Sequence, residues 1–193
     1  MRTSSLLLPF ALLPLLAVAH DDHASLAPHE HGVATLNLAL EGNTLEIELE
    51  SPAMNLVGFE HPATSEADKA TLAAARAQLE RPLELFGIPA AAGCSVSSLA
   101  VKSPLFGDAT HDHDHDHDHD HDHAASGEHH EHVHSDIDAD YSLACTHPGS
   151  LGQVDLGAFF KRFPATHTLR AQVIGPKGQQ GVSLTPAEAT LQF

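Results

Sequence analysis

Tryptophan is absent from the chain and tyrosine occurs once, which argues against a sugar-binding face built on stacked rings. Basic side chains are few: nine Lys and Arg stand against 26 Asp and Glu, a formal net charge of −17. Such a surface repels nucleic acid and anionic membranes and attracts cations, so no nucleic-acid partner is expected. There is no glycine-rich phosphate loop and no G-x-S-x-G motif, and no spacing gathers the plentiful Ser, His and Asp into a catalytic triad. The chain therefore reads as a binding protein and not as an enzyme.

Cysteine is scarce too. Cys94 and Cys145 are expected to form a disulfide if the chain reaches an oxidising compartment; the rival reading, two metal ligands, has no C-x-x-C spacing behind it. A bridge closing about 50 residues would stabilise the fold by about 4 kcal/mol on the chain-entropy account. Export is what the start of the chain indicates. Arg2 precedes an apolar run from Leu6 to Val18, interrupted by Pro9 and Pro14, and Ala17-Val18-Ala19 has the small-x-small pattern a signal peptidase needs. No cysteine near that cut offers a lipid anchor, and no second apolar stretch long enough to span a membrane follows. Residues 1–19 are thus expected to be a signal peptide and residues 20–193 a single domain, not inserted in the membrane after cleavage.

Period-two alternation opens that domain. Ala34, Leu36, Leu38 and Leu40 are followed by Glu41-Gly42-Asn43, then by Leu45, Ile47 and Leu49 set between glutamates, the pattern of a β-hairpin with one wet face. Residues 51–62, bounded by prolines, read as irregular. A helix is expected from Ser65, with Asp68 as its capping-box partner, through an alanine-rich run that stops before Pro82; a short turn ending at Gly87 follows. Cys94–Val101 and Ile137–Cys145 read as two paired strands. Leu156, Phe159, Phe160 and Phe163, at i, i+3, i+4 and i+7, make the apolar stripe of a second helix ended by Pro164. Leu169, Ala171 and Val173 mark another strand, and two short strands close the chain. The expected fold class is α+β: a mostly antiparallel β-sheet with two main helices packed on it.

What the chain has in excess is histidine, 18 residues of it. Residues 107–138 hold eleven histidines, eleven acidic side chains and no lysine or arginine. With no apolar periodicity to drive folding, residues 107–136 are expected to form a long disordered or metal-ordered loop inserted between the two strands. His111, His113, His115, His117, His119, His121 and His123 alternate with aspartate. In an extended chain, residues two apart share a side with Cα atoms about 6.6 Å apart, so neighbouring imidazoles can converge on one ion. The aspartates can add oxygen ligands or hydrogen-bond the second ring nitrogen. His129, His130, His132 and His134 extend the set. Ligand type favours Zn2+; Cu2+, Ni2+ and Co2+ would bind in vitro, following the Irving–Williams order. The bland alternative is a solvated spacer left by replication slippage. His130 to His134 satisfies H-E-x-x-H, but Gly127 on one side and an Asp-rich strand on the other deny it the helix that peptidase motif requires.

Outside the tract, His29 and His31 flank Glu30 at the start of the hairpin, and Glu60 and His61 follow its end. The chain doubles back between them, so both groups can meet at one end of the sheet and form an ordered zinc site of two or three imidazoles and a carboxylate. Plain solvated histidines are the alternative. His147, just after the second cysteine, reads as a ligand or a turn residue.

"HEHGVATLNLALEGNTLEIELESPAMNLVGFEH", the alanine-rich helix, "PLELFGIP", the two cysteines around a histidine-rich stretch, "YSLAC", "LGAFFKRFP" and the closing "LRAQVIGPKGQQGVSLTPAEATLQF" together resemble the ZrgA family of periplasmic zinc-binding proteins. The resemblance covers nearly all of residues 20–193, and H-x-H-G and G-F-E-H are its most specific parts. It implies a role in zinc acquisition in the periplasm of a Gram-negative bacterium, with a zinc ABC importer or its solute-binding protein as partner. Residue by residue, it implies His29, His31 and His61 as ligands and the tract histidines as a group. The tract's own register varies freely within the family.

The leading expectation is a protein that scavenges or buffers Zn2+ and assists an importer. The rivals are a copper or nickel buffer for detoxification, the importer's own solute-binding component, for which the chain is short, and a metallohydrolase using Glu131. Imidazole ligates metal only when deprotonated, so zinc uptake by the tract should fall steeply between about pH 7 and 5, around the ~6.5 reference pKa of histidine. Equilibrium dialysis against zinc across that range checks this; retention that stays flat with pH contradicts it.

Overall fold

The computed structural model of the protein describes residues 30–107 and 135–193. The expected signal peptide, His29, and the tract histidines from His111 to His134 lie outside the described residues, as do the H-E-x-x-H match and the expected disorder of the inserted loop.

Alternation builds the first hairpin. Strands β1 (Val33–Glu41) and β2 (Thr44–Pro52) pair antiparallel around Gly42-Asn43, where Gly42 adopts a φ of 58°. Leu36, Leu38, Leu45, Ile47 and Leu49 turn inward, and Glu46, Glu48 and Glu50 face solvent. Strands β3 (Cys94–Lys102) and β4 (Asp136–Cys145) form a second antiparallel pair, with Cys94 opposite Cys145 and the two joined in a disulfide. The other long edge of β4 pairs with β2. Strand β6 (Thr168–Gly175) runs parallel to β1, and β7 (Gly178–Leu184) folds back antiparallel on β6. The six strands lie in the order β3-β4-β2-β1-β6-β7, while β5 (Gln153–Asp155) and β8 (Thr190–Gln192) make a separate two-stranded sheet.

The helical segments are α1 (Ala53–Val57), α2 (Glu66–Leu79), α3 (Pro82–Leu85) and α4 (Gly157–Arg162). The capping box of α2 forms between Ser65 and Asp68. Leu72, Ala75 and Leu79 of α2 are buried, and Leu85, Phe86 and Phe159 extend that layer. Phe86 joins sheet to helices: its ring meets Tyr141 of β4 edge-on at 5.4 Å and Phe159 of α4 in a stack at 6.3 Å. Burial of each such side chain contributes about 1.5–3 kcal/mol.

The expected α+β class with two main helices is not what forms. The described residues are mostly β, eight strands with one helix of 14 residues and three of six or fewer. Leu156, Phe159, Phe160 and Phe163 are all buried as their spacing implies, but only Gly157–Arg162 is helical. Upstream, Val154 is paired with Leu191 in β5–β8, and Asp155 Oδ1 accepts the Gly157 N–H at 2.8 Å, so the chain turns straight from strand to helix. Downstream, Pro164 bars the α conformation at Phe163, whose φ and ψ are −123° and 70°. The sheet is also not wholly antiparallel, because β1 and β6 run together. Part of the segment read as irregular is ordered: β2 reaches Pro52, α1 follows, and Gly58 closes it with a φ of 84°.

The helices cover one face of the sheet. The other carries carboxylates in facing pairs, Glu50 opposite Asp138 and Glu48 opposite Asp140, with Lys102 across from Asp138 on β3. Burial, then the charges of Asp136, Glu50 and Asp140, push the Asp138 carboxyl above its ordinary value, and Lys102 only partly offsets them. A raised carboxyl pKa in the fold means that the ionised form is the one penalised. The fold therefore loses stability as pH rises through that pKa and regains it on acidification. Asp138→Asn should stabilise the protein at pH 7 by no more than a few tenths of a kcal/mol, because the side chain, though partly desolvated, is exposed and its repulsions are screened by solvent. The gain should fade as pH falls through about 4 and be gone by about pH 3, where wild-type Asp138 is neutral in the unfolded chain as well as in the fold. Urea titrations at neutral and acid pH measure it; a gain that persists unchanged in acid contradicts the assignment.

Candidate metal centre

The turn that presents His31 is fastened on three sides. Gly32 takes a φ of 86°, and a Cβ there would lie 3.0 Å from His167 Nδ1. The Gly32 carbonyl accepts the N–H groups of His167 (2.7 Å) and Thr168 (3.0 Å), which ties the turn to the start of β6. Its N–H donates to Asn55 Oδ1 at 2.6 Å. Asn55 is buried in α1 and donates through Nδ2 to the Val33 carbonyl (2.8 Å) and to Ser51 Oγ (3.3 Å). Glu30 on the outer side pairs with Arg170 at 2.6 Å.

So held, His31 Nε2 lies 3.1 Å from Glu60 Oε1. The imidazole is half-exposed, and the carboxylate side chain only 12% exposed. The neighbouring His61 stacks on Phe59, ring centroids 4.9 Å apart, and its Nδ1 is 3.0 Å from the Pro62 carbonyl. A carbonyl only accepts, so in that contact Nδ1 is the donor, and in the neutral tautomer that makes it Nε2 is the nitrogen open to a metal.

Both ends of the histidine-rich insertion are pinned at this same end of the sheet. Ser135 Oγ donates to the Glu60 carbonyl at 3.2 Å, and the Ser135 carbonyl accepts the Ala53 N–H at 2.8 Å. On the other stem, Ser103 Oγ donates to the Asp136 carbonyl at 2.6 Å and accepts the Leu105 N–H at 3.2 Å. Pro52 stands opposite Asp136, so α1, the His31 turn and the returning stem converge.

His147 is not brought there. It follows Cys145 at the far end of β4, roughly 30 Å away at strand rise. Its Nδ1 lies 3.0 Å from Thr146 Oγ1. Asn55, Ser103 and Ser135 were not singled out by sequence reasoning. For Asn55 a signal existed, a carboxamide inside the otherwise apolar Ala53–Val57; for the serines there was none.

A histidine and a carboxylate can ligate one cation together, or the carboxylate can orient the ring so that its other nitrogen ligates. Zinc takes four ligands, or three and a water. Among the described residues no group of three or more His, Cys, Asp or Glu is placed to hold a metal ion, so the pair supplies at most part of a site.

A β-sheet domain with a histidine–carboxylate pair at the root of a histidine-rich insertion falls in the class of metal-handling proteins. The family model described as ZrgA family zinc uptake protein matches residues 28–193, and the chain belongs to that family. Its role is accordingly a zinc-related one. No curated protein matches the chain. The Cys94–Cys145 disulfide is compatible with an extracytoplasmic location, and no described helix is long and apolar enough to cross a membrane.

Because Asn55 alone fastens α1 to the Gly32 N–H and the Val33 carbonyl, Asn55→Ala should cost about 2–3 kcal/mol by leaving buried groups unpaired. His61→Ala, on an exposed side chain, should cost less than about 0.5 kcal/mol. Denaturant unfolding of the two variants distinguishes them; equal losses would mean that Asn55 is not what holds the turn.

Proposed function

We propose that the protein is a periplasmic zinc-binding protein that scavenges or buffers Zn2+ and assists its uptake by an importer. It acts as a carrier of zinc, not as an enzyme. The His/Asp tract takes up ions at its many imidazoles and carboxylates. A second, ordered site is built around His31 and Glu60, with His29, His61 and residues of the returning tract as candidates for the remaining ligands. The observation that carries this reading is the hydrogen bond from Ser135 to the Glu60 carbonyl: the tract re-enters the fold against the backbone of the residue whose carboxylate meets His31. Zinc held on the tract would thereby lie within reach of the ordered pair. Membership of a zinc uptake family supports the choice of metal.

Protein purified without an affinity tag, loaded at neutral pH and analysed for bound metal, tests the proposal. Deleting residues 109–134 should remove most of the zinc while the disulfide-linked sheet remains folded. In that shortened protein, His31→Ala or Glu60→Gln should weaken the remaining site by about 10–100-fold. Full zinc retention after the deletion would overturn the role of the tract. An unchanged residual affinity in both point variants would overturn the ordered site.

A further inference from the structure

The two edges of the six-stranded sheet differ. Edge strand β3 has an irregular register between Val96 and Ser98, is tied by the disulfide at one end and carries Lys102 at the other. These features discourage pairing with another strand. Edge strand β7 has none of them. It pairs with β6 without a register break, contains no charge and no proline, and is exposed from Gly178 to Ser183. Gly175 and Gly178 close the hairpin, so the alternation of an antiparallel ladder directs the N–H and C=O of Gln179, Gly181 and Ser183 away from β6. Among the described residues, these groups make no backbone hydrogen bond outside the strand ladder.

Charge selects the occupant. In a chain of formal charge −17, the only charged side chains in residues 175–193 are those of Lys177 and Glu188. Lys177 precedes β7. Glu188 lies beyond its other end, bridged back to Thr185 by N–H···O bonds of 3.0 and 3.2 Å. We infer that β7 is the docking edge for a second copy of this chain, the two β7 strands pairing antiparallel about a two-fold axis at Gly181. Gly181 then faces the partner's Gly181, and Gln179 faces the partner's Ser183. Lys177 falls opposite the partner's Thr185, beside the partner's Glu188, and symmetry makes this ion pair twice. Gln180, whose amide donates to the Gln192 carbonyl of its own chain, lies across from the partner's Val182, an apolar residue 38% exposed in the single chain. The contact is small, at the low end for specific interfaces, so the dimer exchanges with monomer.

Sedimentation velocity on the full domain, in chelator and physiological salt, tests this with metal bridging through the tract removed. The expected result is a dimer fraction that rises with concentration. A Cβ at Gly181 meets only the Ala171 carbonyl at 3.9 Å, so Gly181→Lys should fold, and it should weaken the dimer on the order of fivefold by setting like charges face to face. Lys177→Glu and Glu188→Lys should each weaken it, and the double exchange should restore it. Gly181→Cys should cross-link to itself on mild oxidation. A chain that stays monomeric to millimolar concentration overturns the inference. So does a dimer indifferent to all these changes, or a double exchange that restores nothing.

Discussion

Strand β4 is gripped along both edges, by β2 from Pro52 to Thr44 and by β3 from Lys102 to Cys94. Its alternation sends Ile137, Ala139, Tyr141 and Leu143 inward and Asp138 and Asp140 outward. A slip of one residue would expose that entire inward set and part Cys145 from Cys94. Register on β4 also decides where the chain re-enters the fold after the insertion. Asp136 lands opposite Pro52, Ser135 therefore reaches the Glu60 carbonyl and the Ala53 N–H, and the insertion is rooted beside His31.

The parts of this arrangement that were legible in the sequence are those written in local periodicity. Alternating Leu and Glu residues mark β2, the Ser65/Asp68 spacing marks the start of α2, and the parity of Cys94 and Cys145 marks a strand pair. What stayed hidden depends on partners distant in the chain. Leu156, Phe159, Phe160 and Phe163 present the same stripe whether the helix is long or short, and its shortness follows from the pairing of Val154 with Leu191. The parallel contact of β1 with β6 leaves no local trace, since both strands alternate as any half-buried strand does. At the site, the approach of His31 to Glu60 followed from the doubling back of the hairpin. The fastening by Ser103 and Ser135 did not, because each bonds to backbone groups, which carry no signature of sequence, and Asn55 showed only as a carboxamide in an apolar run, without its partners.

The carboxylate pairs on the open face work against the fold and with the attraction of cations. Glu50 against Asp138 and Glu48 against Asp140 repel at neighbouring strand positions, yet β2 and β4 stay paired because their inward residues are buried without exception. The same carboxylates give the surface beside the insertion a negative potential, which raises the local concentration of divalent cations before any ligand bond forms.

Cys94 precedes the insertion and Cys145 follows it, and the bond between them sits at the opposite end of the β3–β4 pair from the insertion's stems. A protease that cut anywhere between Gly107 and Ser135 would break the backbone but not separate the pieces. The N-terminal and C-terminal fragments would remain covalently joined and registered across the intact ladder. A cut, lengthening or shortening of the insertion therefore leaves the integrity of the sheet untouched.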